Sequence, residues 1–215
     1  MKYPKGVDWL GRIYSFITRN LIARIACLLW LKKVEFLSDD AKNPGGNFIV
    51  VSNHQSYVDA MLVGFVFKKY FPIFFMDKEY YFNPKLYFFI KRVQQIPTST
   101  DEKDKSAFMA FRVAVDLLSE GNNIFIFPEG AVSFGEVKPF RRGLASLAKR
   151  FPDVKIIPVG ISNAHGLWDK RHRPKISLDN KRVVVRVGQP IYYRDFTDRD
   201  SFLQGIREIV QDLAS

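Results

Sequence analysis

Two residues offer the clearest prospect of chemistry. His54 and Asp59 lie five apart in Asn53-His54-Gln55-Ser56-Tyr57-Val58-Asp59, just after the apolar run Phe48-Ile49-Val50-Val51. Residues five apart do not share a helical face. They meet if His54 sits in a loop and Asp59 in the first turn of a following helix. The carboxylate would then hold one ring nitrogen and leave the other free as a base. A local role competes, because Ser56-x-x-Asp59 is also a capping box, in which Asp59 would only close a helix start. A second loop follows Ile124-Phe125-Ile126-Phe127 and carries Pro128-Glu129-Gly130, Ser133 and then Arg141-Arg142. An acidic residue before Gly at a strand end suits contact with a polar substrate, and paired Arg suit phosphate. Solvated surface is the alternative for Arg141 and Arg142. A third run, Ile156-Ile157-Pro158-Val159, is an apolar strand carrying Pro158, unusual for a central strand.

Such residues need a frame that brings them together. Strand patterns fall at 47–52, 72–76, 93–97, 123–127, 154–161 and 182–187. Helical patterns fall at 57–69, 84–91, 103–119, 143–150 and 199–213. Alternation of the two predicts a layered α/β domain with a largely parallel mixed sheet flanked by helices. In such sheets, sites gather in loops at the carboxyl ends of strands, where the His54 and Glu129 loops both lie.

The chain has 215 residues, 33 Lys and Arg against 22 Asp and Glu, three His and one Cys. That length suits one domain with at most a small appendage. A single Cys excludes a disulfide framework and any multi-Cys metal site, and Cys27, inside an apolar run, reads as a small buried hydrophobe. The net charge of +11 predicts an anionic partner: nucleic acid, a membrane surface or an anionic substrate. Phe and Tyr crowd residues 65–89, interleaved with Lys68, Lys69, Lys78 and Lys85, and Lys91 and Arg92 follow. Part of this stretch is ordinary core; the rest fits a surface at lipid headgroups. No helix-turn-helix, zinc-finger or RNA-binding motif is visible, so a membrane surface with anionic lipids is expected and nucleic acid is not.

Residues 9–34 carry apolar pairs near helical spacing, punctuated by Arg12, Arg19, Arg24, Lys32 and Lys33. The longest uncharged run, Ile25 to Leu31, is far short of the ~20 residues of a spanning helix. An amphipathic helix lying on the membrane is therefore expected, a helix packed on the domain being the alternative. The division predicted is residues 1–38 as this helical segment and 39–215 as the folded domain, with Asp39 to Gly46 as a turn-rich junction.

Taken together, Asn53-His54-(four residues)-Asp59, Phe127-Pro128-Glu129-Gly130 and Ile157-Pro158-Val159 resemble, in order and spacing, the three blocks of the glycerolipid acyltransferase family, typified by 1-acylglycerol-3-phosphate acyltransferases. The resemblance spans roughly residues 30–195. It implies transfer of a fatty acyl group from an acyl-carrier protein or coenzyme A thioester to a hydroxyl of a lysophospholipid, in phospholipid biosynthesis or remodelling. His54 would act as general base, with Asp59 fixing its tautomer. Glu129, Gly130, Ser133, Arg141, Arg142 and Pro158 are the expected substrate-binding residues. No bound cofactor and no metal is implied: His54, His165 and His172 show no ligand spacing, and the last two read as surface. The expected location is peripheral, on the cytoplasmic face of a membrane. A glycolipid or other lyso-lipid acceptor is an alternative; a non-catalytic basic membrane-binding module is an alternative from another class.

The chain departs from the family pattern in two places. Members that make phosphatidate carry Thr-Arg-Ser after Glu-Gly, where this chain has Ala131-Val132-Ser133. Their intervening block ends in Asp-Arg, where this chain has Gln95-Ile96-Pro97-Thr98-Ser99-Thr100. Two absent cations should weaken recognition of a bare phosphomonoester, since a hydrogen bond to a charged group is worth about 1.5–3 kcal/mol. The Glu129–Ser133 and Pro139–Gly143 stretches, with Gly166-Leu167-Trp168, look more like domains that re-acylate lysophospholipids bearing a headgroup.

Overall fold

The computed structural model describes residues 8–84, 87, 95–99, 101, 104–176 and 182–215. The chain opens on helix α1 (Trp9–Ile17), a π turn (Thr18–Ile22) and helix α2 (Ala23–Trp30). The apolar pairs explain the π turn. They recur every three or four residues up to Phe16-Ile17, then skip five to Leu21-Ile22. A π turn takes in the extra residue and keeps the apolar stripe aligned. The whole run, Trp9–Trp30, is 22 residues long and apolar enough to cross a membrane by length and composition. The sequence reading, based on the uncharged run alone, set it too short.

The helical pattern of residues 9–34 also ends earlier than expected. Leu31–Phe36 is strand β1, paired in parallel with β7 (Val183–Val187) at one edge of the sheet. An edge strand bonds on one side only and tolerates charge; Glu35 on β1 meets Arg186 on β7 at 2.8 Å. A short helix α3 (Asp39–Lys42), capped by the Ser38 side chain, occupies the predicted junction.

The other strands are β2 (Phe48–Ser52), β3 (Ile73–Asp77), β4 (Ile96–Thr98), β5 (Ile124–Ile126) and β6 (Lys155–Ser162). The seven form one sheet in the order β1-β7-β6-β2-β5-β3-β4, parallel throughout except between β6 and β7. The layered, largely parallel mixed sheet is as expected. The predicted strand at 93–97 is described from residue 95 onward, and its first residues, like most of the predicted helix at 84–91, lie outside the described residues. Lys85, Phe88, Phe89, Lys91, Arg92 and Thr100 do so as well.

Helices α4 (Val58–Val66), α5 (Lys78–Tyr81), α6 (Lys105–Ser119), α7 (Arg142–Arg150) and α8 (Arg199–Leu213), with a 3-10 turn at Tyr193–Asp195, complete the described elements. Strand β2 is buried throughout, and its alternating side chains enter opposite layers. Phe48 and Val50 pack with α2 and α4. Ile49 and Val51 pack with α6, α7 and α8. Helices cover both faces, so the central strands read as unbroken apolar runs. The crowded aromatics divide: Phe67 and Phe71 are core, while Tyr80, Phe82 and Tyr87 are exposed.

Candidate active site

The position of β2 decides where the chemistry lies. It pairs with β5 on one side and β6 on the other, all three parallel. Their carboxyl ends therefore release three adjacent loops: 53–57 after β2, 127–141 after β5 and 163–173 after β6. Segments as far as 112 residues apart in sequence are tied together here by hydrogen bonds.

His54 lies in the first loop and Asp59 in the first turn of α4, as expected. His54 Nδ1 is 3.0 Å from Asp59 Oδ2. Asp59 is fully buried, and the same Oδ2 accepts from the backbone N–H of Gln55 at 2.6 Å and of Ser56 at 2.8 Å. An oxygen already accepting two N–H bonds makes Nδ1–H the donor in the third, which leaves Nε2 as the unprotonated nitrogen. Both readings of Asp59 thus hold at once: it secures the helix start and orients the histidine. The Ser56 hydroxyl makes only a long bond to the helix start, accepting from the Val58 N–H at 3.4 Å, and is chiefly engaged elsewhere. Ser56 Oγ donates to the Trp168 carbonyl at 2.8 Å and accepts from the Trp168 N–H at 3.2 Å. The His54 ring stacks on Phe127, with centroids 3.9 Å apart and planes 12° apart, and its side chain keeps 15% of its surface exposed.

The second loop braces the first. Glu129 is 5% exposed; its Oε1 accepts from the His54 N–H at 2.8 Å and its Oε2 from the Lys138 N–H at 2.9 Å. Ser133 is buried, and both its N–H (2.8 Å) and its hydroxyl (3.2 Å) donate to the His54 carbonyl. The peptide units around His54 are therefore held by Glu129 and Ser133 together. Gly130 takes a φ of +80°, and a Cβ there would collide with the Arg141 side chain. Arg141 precedes α7, and its Nε donates to the Glu129 carbonyl at 3.4 Å. Arg142 opens α7 and is exposed.

Pro158 lies deeper in β6. It pairs with Val51, and its carbonyl accepts from Gly188 at 2.8 Å, one residue beyond the end of β7. A residue's N–H and carbonyl point to the same side of a strand, so the missing proline donor falls at the break between the β6–β7 ladder, which ends at Val159–Val187, and the bridge of Ile156 to Ile191. That is why a proline fits a central strand here.

Several residues hold the site through partners that the sequence did not indicate. Asn53 pins the end of β2 to β6, its Nδ2 and Oδ1 both 2.8 Å from the Ile161 backbone. Gln55 Oε1 accepts from the Ala164 N–H at 3.0 Å. Tyr57 packs edge-on against Trp168, and its hydroxyl lies 3.2 Å from that of Tyr80. Burial, then the Tyr80 hydroxyl, pushes the Tyr57 phenol above its ordinary value. His172, read as a surface residue, is indeed exposed but is paired: its Nδ1 lies 2.9 Å from the buried Asp169 carboxylate. Cys27 is half-buried beside the core, and burial pushes its thiol up to about 12, so it stays protonated at neutral pH.

Comparison with known proteins places this geometry. The Acyltransferase family model matches residues 33–162, more than half of the chain. A 1-acyl-sn-glycerol-3-phosphate acyltransferase of Bacillus subtilis (strain 168) is 24% identical over 151 residues, covering 69% of each chain. The crystal structure of the 1-acyl-sn-glycerophosphate (LPA) acyltransferase PlsC from Thermotoga maritima matches with a TM-score of 0.71 at 22% identity, covering 94% of this chain and 77% of that one. The matched span contains the His54, Glu129 and Pro158 blocks, and it removes the alternative of a non-catalytic module. By its sequence blocks and its match over that span, the chain belongs to the Acyltransferase family and is an acyltransferase.

Proposed function

We propose that this acyltransferase moves a fatty acyl group from a thioester, carried by acyl-carrier protein or coenzyme A, to a free hydroxyl of a lysophospholipid. The supporting observation is the His54–Asp59 pair: Nδ1 is tied to the carboxylate at 3.0 Å and Nε2 is left as the base. An alcohol is a weak nucleophile at neutral pH. His54 Nε2 takes the hydroxyl proton as the oxygen attacks the thioester carbonyl, and Asp59 stabilises the imidazolium. Collapse of the tetrahedral intermediate breaks the C–S bond, and the imidazolium returns its proton to the departing thiolate. No covalent enzyme intermediate is required, which accords with the buried Ser133 bonding the His54 carbonyl.

The lysophospholipid class of the acceptor is supported by the Bacillus subtilis relative, named for 1-acyl-sn-glycerol-3-phosphate; the choice of headgroup departs from that name and rests on Val132, which stands where phosphatidate-making members carry Arg. A lysophospholipid with a phosphodiester headgroup is the proposed preference over bare lysophosphatidate. A panel of lysolipids, with one labelled thioester donor, tests this. Preference for the headgroup-bearing acceptor supports it; clear preference for lysophosphatidate or for a glycolipid overturns it.

Residues 1–38 are proposed as the membrane-facing segment and 39–215 as the catalytic domain, the protein sitting peripherally on the cytoplasmic face. In support, Trp9, Ile13, Phe16, Leu21, Ile25 and Leu28 are exposed on the helical run, while Ala23, Ala26 and Trp30 are buried. A helix docked along one side and apolar on the other suits lying in the headgroup layer.

A further inference from the structure

The third loop carries a feature that catalysis by His54 does not use. Residues 168–173 read Trp-Asp-Lys-Arg-His-Arg, and this basic run is built into the site rather than hung from it. Trp168 exchanges hydrogen bonds with Ser56 through both its carbonyl and its N–H, and its carbonyl also accepts from the Tyr57 N–H at 2.9 Å. Three residues further on, the Arg171 guanidinium lies over the Phe134 ring, 4.6 Å from its centroid. Phe134 follows Ser133, which bonds the His54 carbonyl. The basic run therefore bridges the His54 loop and the Glu129 loop at the mouth of the site. Its root is fixed from outside by Arg182, which donates to the Asn163 carbonyl at 3.0 Å and the His165 carbonyl at 2.9 Å.

The one carboxylate in the run is turned inward. Asp169 is 5% exposed and accepts from the N–H groups of Arg171 (2.7 Å) and His172 (3.0 Å) and from His172 Nδ1. Burial works to raise its carboxyl, but these bonds outweigh it and hold the group below its ordinary value. With Asp169 withdrawn, the loop shows solvent Lys170, Arg171 and Arg173, all exposed, beside the outward edge of His172. The Arg171 guanidinium sits over an aromatic ring, a contact that positions a guanidinium without using its N–H donors, which can then meet phosphate.

We propose that this loop is the acceptor's phosphate site: Lys170, Arg171 and Arg173 hold the phosphate of the lysophospholipid beside the His54 loop, doing so without an Arg at Val132. The inference rests on the acyl-transfer reading above but is separable from it. The test measures binding as well as turnover, by equilibrium dialysis of labelled short-chain lysophospholipid below its micelle concentration, with monoacylglycerol of the same chain and coenzyme A as parallel probes. For Arg171→Gln, binding of the lysophospholipid should weaken about tenfold, the loss of one charge-assisted bond, while monoacylglycerol and coenzyme A bind as before. Lys149→Gln, the same change of charge on exposed α7 surface, should leave lysophospholipid binding unaltered. Phe134→Ala should weaken it in the same direction as Arg171→Gln, and melting curves should confirm that each variant is folded. Unchanged lysophospholipid binding in a folded Arg171→Gln protein overturns the site, whatever the turnover. Weaker coenzyme A binding with unchanged lysophospholipid binding also overturns it, assigning the cations to the donor. Absence of turnover in the parent, with the binding loss intact, removes the function reading and leaves the phosphate site standing.

Discussion

Glu129 separates two accounts of the second loop, because a substrate contact and a structural brace respond differently to its replacement. In Glu129→Gln the side chain keeps its shape but loses its charge and one of its two acceptor oxygens. The parent carboxylate takes the His54 N–H at 2.8 Å and the Lys138 N–H at 2.9 Å while 5% exposed. Two bonds to a charged acceptor are worth about 3–6 kcal/mol together, and a single neutral one about 0.5–1.5 kcal/mol. The glutamine amide must also face an N–H with an NH2, so a net loss of about 2–4 kcal/mol is expected. For a chain of 215 residues this lowers the melting temperature by roughly 5–15 °C, within a total stability of about 5–15 kcal/mol. The assay pairs thermal melting with acyl transfer measured well below the variant's transition. The brace account predicts a large stability loss with transfer retained within about tenfold. A variant as stable as the parent refutes it, and one that is as stable but catalytically dead makes the carboxylate a direct participant.

Other consequences follow from single features. Gly130→Ala forces a β-carbon into a φ of +80° and onto Arg141; a loss of about 1–2 kcal/mol from the left-handed backbone alone is expected, seen as a lower melting temperature, and an unshifted melt would contradict the geometry. Asp198 caps α8 by accepting from Ser201 and Asp200 N–H groups, which hold its carboxyl below the ordinary value. Its folded value is the lower one, so its stabilisation is present above the ordinary aspartate range and fades as pH falls through about 4 and below. Asp198→Asn, which still caps, should therefore show a shallower acid-side decline in melting temperature. On the N-terminal helix, Leu28→Glu or Phe16→Glu removes an apolar side chain that is 63% or 59% exposed. Flotation with anionic vesicles should weaken about tenfold for each, and unchanged flotation would count against membrane contact through this face.

The fold class was legible because apolar periodicity is set locally: the central strands are uninterrupted hydrophobic runs and the flanking helices amphipathic. Strand β1 was not. Leu31 continues the helical pattern of Leu28-Leu29-Trp30, and three charges in Leu31–Phe36 hide a strand that needs only one neighbour. His54 and Asp59 could be placed from spacing because their meeting is local. The bracing roles of Glu129, Ser133 and Asn53 could not, since their partners lie 75, 79 and 108 residues away and are backbone groups any residue would offer. Residue type marks a polar position as important; only the adjacency of β5, β2 and β6 tells what it holds.

The central claim is that His54 is the base. The most direct measurement is the single-turnover rate of acyl transfer from a labelled thioester to a lysophospholipid by purified His54→Ala protein, with folding checked by melting. Loss of the base should slow transfer by about 10²- to 10⁴-fold in a folded protein that still binds lysophospholipid. Transfer at the parent rate would contradict the mechanism.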